Sequence, residues 1–176
     1  MSHVIHTTEA IILDHQDFGE ANRWCFLLTP DFGLVVARAQ GVRELKSKLS
    51  GHLSRFGQAQ ISLVRGREYW RLVGAERIEA SRPCLDALQT MARIAGMLRR
   101  LLPEAGADPE LFSLIKQGFG KISASAADSK VLYSQEVLLV WHILRLLGYI
   151  ERSASGNCSE SILTAEINRA LSDSML

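Results

Sequence analysis

Cysteine is scarce in this chain and spaced for no obvious chemistry. Three occur in 176 residues, Cys25, Cys84 and Cys158, far apart and odd in number. Neither a disulfide framework nor a CxxC thiolate metal site is supported, and Cys25 is expected to fill a core strand as a small hydrophobe. Long hydrophobic runs are also missing. The longest, VLLVWHIL (137–144), contains His142 and is followed by Arg145, well short of the roughly 18 apolar residues a membrane helix needs. The opening MSHVIHTTEAII has no basic n-region or long apolar h-region of a signal peptide. The expectation is a cytoplasmic, nucleoid-associated protein with no membrane partner. No HExxH, GxSxG or P-loop pattern occurs, so no enzyme, cofactor or metal is expected. His3 and His6 have a weak metal-like spacing, read here as a mobile terminus. His142 is read as a satisfied core or interface residue.

What is present divides by period near residue 80. Before it, TTEAIILDHQ, RWCFLLTP, GLVVARAQG, AQISLVRG and EYWRLVGAERIE alternate over strand lengths. They are separated by turn residues such as Asp17-Phe18-Gly19, Pro30-Asp31-Phe32-Gly33 and Gly66. Five short strands predict a small barrel. After Pro83 the spacing becomes three and four. Leu85, Leu88, Met91, Ile94, Ala95 and Leu98 form one helical face, stopped by Pro103. A second helix starts at Asp108 as N-cap with Pro109 at its first position and aligns Leu111, Leu114 and Ile115. The apolar segment SKVLYSQEVLLVWHILRLLGYI reads as a central helix, with Trp141, Leu138 and Ile143 as core and Gly148 as its C-terminal stop. RSASGNCSES is then a loop and SILTAEINRALSD a last helix. The expected class is α+β, with domains 1–80 (barrel) and 81–176 (helical).

Charge divides too, although the whole chain carries a formal net charge of only +1. Residues 1–32 hold one cation, Arg23, against five acids. Residues 33–77 hold nine cations against three acids, and AQGVRELKSKLSGHLSRFG concentrates them. Such a cluster repels itself unless an anionic partner supplies the missing charge. A small basic barrel suits a nucleic-acid backbone, with Tyr69, Trp70 and Phe56 near enough in sequence to stack on bases. Asp14, Asp17 and Glu20 could imitate a divalent-ion site for a metal-dependent hydrolase. They are read instead as a solvated hairpin.

These residues together resemble the RecO family of bacterial recombination mediators. The likeness lies in the DFGEANR turn, LLT with a following FGL, the strand ending ARAQGVR, the basic KSKLSGHLSRF, and the strands around GRE. It runs from about residue 7 to 80 and continues more weakly through VLLVWHILRLLGYI, with its Leu-Gly-Tyr ending. The resemblance implies an OB-fold followed by an α-helical domain. It implies binding of single- and double-stranded DNA, strand annealing, and loading of RecA, together with RecR, onto strands coated by single-strand-binding protein. Carried onto this chain, DNA binding falls to Arg38, Arg43, Lys46 and Lys48, which match the family's basic region. Arg55, Arg65, Arg67 and Arg71 join them on charge and placement. Many members carry a four-cysteine zinc site after the Leu-Gly-Tyr helix, where RSASGNCSES offers only Cys158, so no zinc is expected. The chain is also short for the family, which implies a trimmed helical domain. A different class of reading makes the protein an interaction adaptor, its basic barrel docking an acidic partner such as the tail of single-strand-binding protein. A peptide-docking site in the helical domain belongs to the same class.

If phosphates meet the loop, Lys46→Ala/Lys48→Ala should weaken binding to every DNA sequence. The plot of log K against log salt should flatten by up to about two units, as read by anisotropy titration at several salt concentrations. An unchanged slope would remove the loop from the interface.

Overall fold

A computed structural model of the chain describes residues 4–44, 46–78, 83–104, 106–125, 128–151 and 159–173. Five strands, β1 (Ile5–Phe18), β2 (Asn22–Thr29), β3 (Gly33–Ala39), β4 (Gln58–Arg65) and β5 (Trp70–Arg77), close into a barrel in the order β1-β2-β3-β5-β4. All pairings are antiparallel except β3 with β5. This is the expected five-stranded barrel of OB type. Four helices follow: α1 (Leu85–Leu101), α2 (Pro109–Ala124), α3 (Ser129–Leu146) and α4 (Glu160–Asp173). The α+β class therefore holds. Met1–Ser81 with Ala95–Phe112 form one compact unit, and Arg82–Ile94 with Ser113–Leu176 the other. The division runs through α1, and the expected boundary at residues 80 and 81 lies outside the described residues.

The barrel follows from alternation. Ala10, Ile12, Cys25, Leu27, Val35, Ala37, Ala39, Ala59, Ile61, Leu63 and Leu72 build its core, while Trp24, Val36, Arg38 and Arg71 occupy the opposite positions of their strands. Small alanines beside branched side chains suit a narrow barrel interior. Each large side chain removed from water contributes about 1.5–3 kcal/mol.

Two local expectations change. The first turn is not at Asp17-Phe18-Gly19. Pairing continues to Phe18 opposite Asn22, so β1 runs through Phe18, with an irregularity between Ile12 and Asp14, and Gly19 takes φ +60° just beyond it. The basic segment between β3 and β4, whose glycines and serines read as a flexible cationic loop, caps the barrel. Val42 and Leu53 are buried in the core. Its backbone is tied to the barrel by Arg43 N to Ala21 O (3.1 Å) and Phe56 N to Ile12 O (2.7 Å), with Ser47 N to Glu44 O (2.9 Å) closing a turn within it. Backbone donors used this way are not free for phosphate.

Among the helices, Asp108 Oδ1 accepts from Leu111 N at 2.8 Å, the expected N-cap of α2. Asp128 caps α3 through Lys130 N and Val131 N. Gly148 (φ +84°) ends α3, with Gly148 N donating to Arg145 O and Tyr149 N to Leu144 O, the paired bonds of a Schellman stop. Trp141 is fully buried, its Nε1 donating to Glu166 on α4 at 2.7 Å. Arg93 holds both carboxylate oxygens of Glu136. Leu85 is 68% exposed and leaves the expected α1 face, while Ala87 and Thr90 are buried. His142 is exposed rather than core, its Nδ1 lying 2.7 Å from Leu138 O. A cavity of about 210 Å³ near Gly118, Lys121, Leu138 and His142 lies between α2 and α3. Among the described residues no helix is long and apolar enough to cross a membrane.

Gly33 tests the barrel's geometry. At φ +67° a Cβ would run into the carbonyl of Gly106. Gly33→Ala should therefore cost about 1–3 kcal/mol or more, seen as a lower urea midpoint, whereas Gly51→Ala, with open space around it, should change the midpoint little.

Candidate nucleic-acid interface

The outer face of β2 and β3 carries an arginine with no acid beside it. Arg38 lies on β3 opposite Trp24 on β2 and, in the parallel register, beside Arg71 on β5. Its guanidinium sits 5.7 Å from the Phe18 ring centre and 6.0 Å from that of Tyr69, and donates to Tyr69 Oη at 3.2 Å. Its Nε is buried without a partner. Trp24 meets Tyr69 edge to face at 5.2 Å. The strands explain the grouping: Trp24 and Arg38 take the outward positions between core residues, and the β1 end and the β4–β5 turn bring Phe18 and Tyr69 to either side. In OB folds this face, with the loops that border it, is where oligonucleotides lie.

Beside it runs a groove of about 560 Å³. It exists because β5 pairs with β3 only over Ala37–Ala39. Nearer its start, β3 is bridged at Leu34 by Glu104 instead. Between these contacts lie Trp24, Val36, Arg67, Tyr69 and Trp70. A second ring cluster borders the groove: Phe32 and Trp70 at 5.3 Å, His6 edge-on to both, and Arg65 at 5.1 Å from the Trp70 ring.

The eight basic residues singled out by sequence fall into two groups. Arg43 and Arg55 already hold carboxylates. Arg43 Nε lies 3.5 Å from Asp17 and its Nη1 donates to Gly19 O; Arg55 Nε lies 2.9 Å from Asp14 and its Nη2 donates to His15 O. Arg38, Lys46, Lys48, Arg65, Arg67 and Arg71 pair with no acid among the described residues. Of these, Arg38 and Arg71 are adjacent on the sheet, and Arg65 and Arg67 line the groove. Lys46 and Lys48 stand exposed on the barrel cap. Sequence reasoning passed over Trp24 and Phe18. The signal for Trp24 was its parity, since it alternates with Cys25 and Leu27, which face the core.

Asp14 and Asp17 are occupied as counterions. Asp14 also binds Arg99 of α1, whose guanidinium stacks 3.7 Å from the Phe26 ring centre. Asp17 accepts from Arg23 at 2.7 Å. That hydrogen bond, with Arg43 adding, holds the Asp17 carboxyl below its ordinary value. Burial, then Arg23 and Arg55, push His15 down from 6.5. Burial pushes the Cys25 thiol up to about 11, so it is no nucleophile at neutral pH. No group of three potential ligands that could hold a metal ion occurs among the described residues. His3 and Cys158 lie outside them.

Residues 1–80 match the family described as Recombination protein O N terminal. A protein of Dehalococcoides mccartyi named DNA repair protein RecO is 32% identical over 89% of this chain and 62% of its own length. A Roseiflexus protein of that name is 30% identical over 94% of this chain and 58% of its own. One from Gloeothece citriformis is 31% identical over 78% and 50%. The chain thus spans between half and two thirds of the length of these three relatives.

Asp17 offers a direct check. Its folded-state pKa is depressed, so its pairing stabilises the fold above its unfolded value of 3.8 and is lost as pH falls through the lower folded value. In an NMR titration Asp17 should have its midpoint below 3.8, and Arg23→Gln should move it back up.

Proposed function

Since this chain belongs to the recombination protein O family through its first eighty residues, we propose that it serves recombinational DNA repair by binding DNA rather than by catalysis. Domain 1–80 binds single- and double-stranded DNA, and domain 81–176 carries protein contacts. The fuller activity of such a mediator is strand annealing and, with RecR, RecA loading on strands coated by single-strand-binding protein. The observation that carries the reading is Arg38: a guanidinium held between two rings, with a buried Nε and no counterion, beside a second unpaired arginine, Arg71. A buried or half-buried cation without an acid is costly unless an anion arrives, and a phosphate supplies it with charge-assisted hydrogen bonds. The proposed DNA contacts are Arg38, Lys46, Lys48, Arg65, Arg67 and Arg71. Arg43 and Arg55 contribute less, because a phosphate must compete with Asp17 and Asp14.

Phosphate contacts make affinity nearly independent of sequence and steeply dependent on salt. Annealing follows if the cap and the β2–β3 face neutralise two strands at once. An acidic peptide fits the groove poorly, since Asp31, Glu68 and Glu104 already line it.

Labelled single-stranded DNA titrated by anisotropy at several salt concentrations should bind with a steep slope. Arg38→Ala should weaken binding by about 1–3 kcal/mol, while Arg55→Ala should have a smaller effect. No binding at low salt would overturn the reading.

A further inference from the structure

The groove beside Arg38 has a chemistry that phosphate does not explain. Asp31, Glu68 and Glu104 line it together with Trp24, Tyr69 and Trp70. Asp31 accepts from Thr8 Oγ1, and among the described residues none of the three carboxylates forms an ion pair. A phosphodiester inside would meet like charge. Resting on the DNA-binding reading above, we propose that this groove receives an unstacked nucleobase by its amino edge, and that the protein therefore favours cytosine over thymine in single-stranded DNA.

Three features support the assignment. The volume, about 560 Å³, lies in the range of sites that enclose small ligands. Half-buried rings border it in two pairs, Trp24 with Tyr69 and Phe32 with Trp70, and aromatic faces are what unstacked bases rest on. Arg67 at the groove and Arg38 and Arg71 on the neighbouring sheet face can hold the backbone outside while the base enters. The carboxylates then decide which base. An ionised carboxylate only accepts hydrogen bonds. Cytosine turns its N4 amino group toward it, where thymine turns the O4 carbonyl oxygen. The first contact is attractive and the second sets two acceptors face to face. Phosphate contacts alone would leave the protein indifferent between the two, so a preference between pyrimidines of similar size isolates the groove.

The test compares oligo-dC with oligo-dT, of equal length and at neutral pH, on the full chain by anisotropy, and repeats both on Glu68→Gln/Glu104→Gln. The wild type should bind oligo-dC about tenfold more tightly, the scale of one good base contact. The double variant should bind both more tightly, having lost two negative charges, yet bring the two affinities together, because an amide can donate to O4 as well as accept from N4. Far-UV circular dichroism checks that the variant is folded, and the wild-type comparison needs no variant. Equal wild-type affinities would overturn the groove proposal while leaving the phosphate reading standing. A preference that survives the double substitution would overturn the role of Glu68 and Glu104. Failure of both oligonucleotides to bind would overturn the DNA-binding reading and this proposal with it.

Discussion

The parallel pairing of β3 with β5, Ala37–Ala39 against Trp70–Leu72, closes the barrel, and the candidate interface depends on it. It sets Arg38 beside Arg71, two cations that sequence keeps far apart. Its shortness matters as much as its presence. Because β5 begins only opposite Ala37, the first part of β3 is bridged by Glu104 instead, and the groove opens between the two contacts. A longer ladder would fill that space with backbone and leave Trp24 and Tyr69 no recess to border. Gly33, at φ +67° against Gly106, marks how closely the segment after α1 approaches β3.

Charge in this barrel is arranged by pairing as well as by exposure. The acidic first strand and the basic segment after β3 look like separate blocks along the chain. In the fold, Asp14 and Asp17 take Arg55, Arg99, Arg23 and Arg43 as partners. Exposed pairs of this kind contribute little each, but they decide which cations remain for an outside anion. Those left are sorted onto the β2–β3–β5 face, the groove and the barrel cap. Asp14 and Asp17, two of the three carboxylates that could imitate a metal site, thus already face guanidinium groups.

The family relationship and the physical reading support each other at different levels. Likeness over residues 1–80 and the relatives' name, DNA repair protein RecO, support the proposed role. They do not say which side chains the proposed DNA contacts would use. That assignment rests on Arg38, whose charge has stacking partners but no counterion, and on rings placed around a groove with carboxylates in it. A surface built only to hold phosphate would have no use for those acids.

Much was determined by the sequence alone. Period-two runs rich in Val, Ile and Leu, broken by glycine turns, specify five strands, and period-3.6 runs with Asp108 and Gly148 at their ends specify helices, because side-chain direction and backbone caps are local properties. The excess of cations after residue 33 was equally plain. Only tertiary structure decided which cations are spent, since Asp17 and Arg43, or Asp14 and Arg99, meet through strand pairing and packing across long stretches of chain. It also turned the basic loop into a cap, because Val42 and Leu53 gain more from the core than from water. The groove beside β3 was illegible for the same reason: it depends on where the ladder between β3 and β5 begins, and no single strand carries that information.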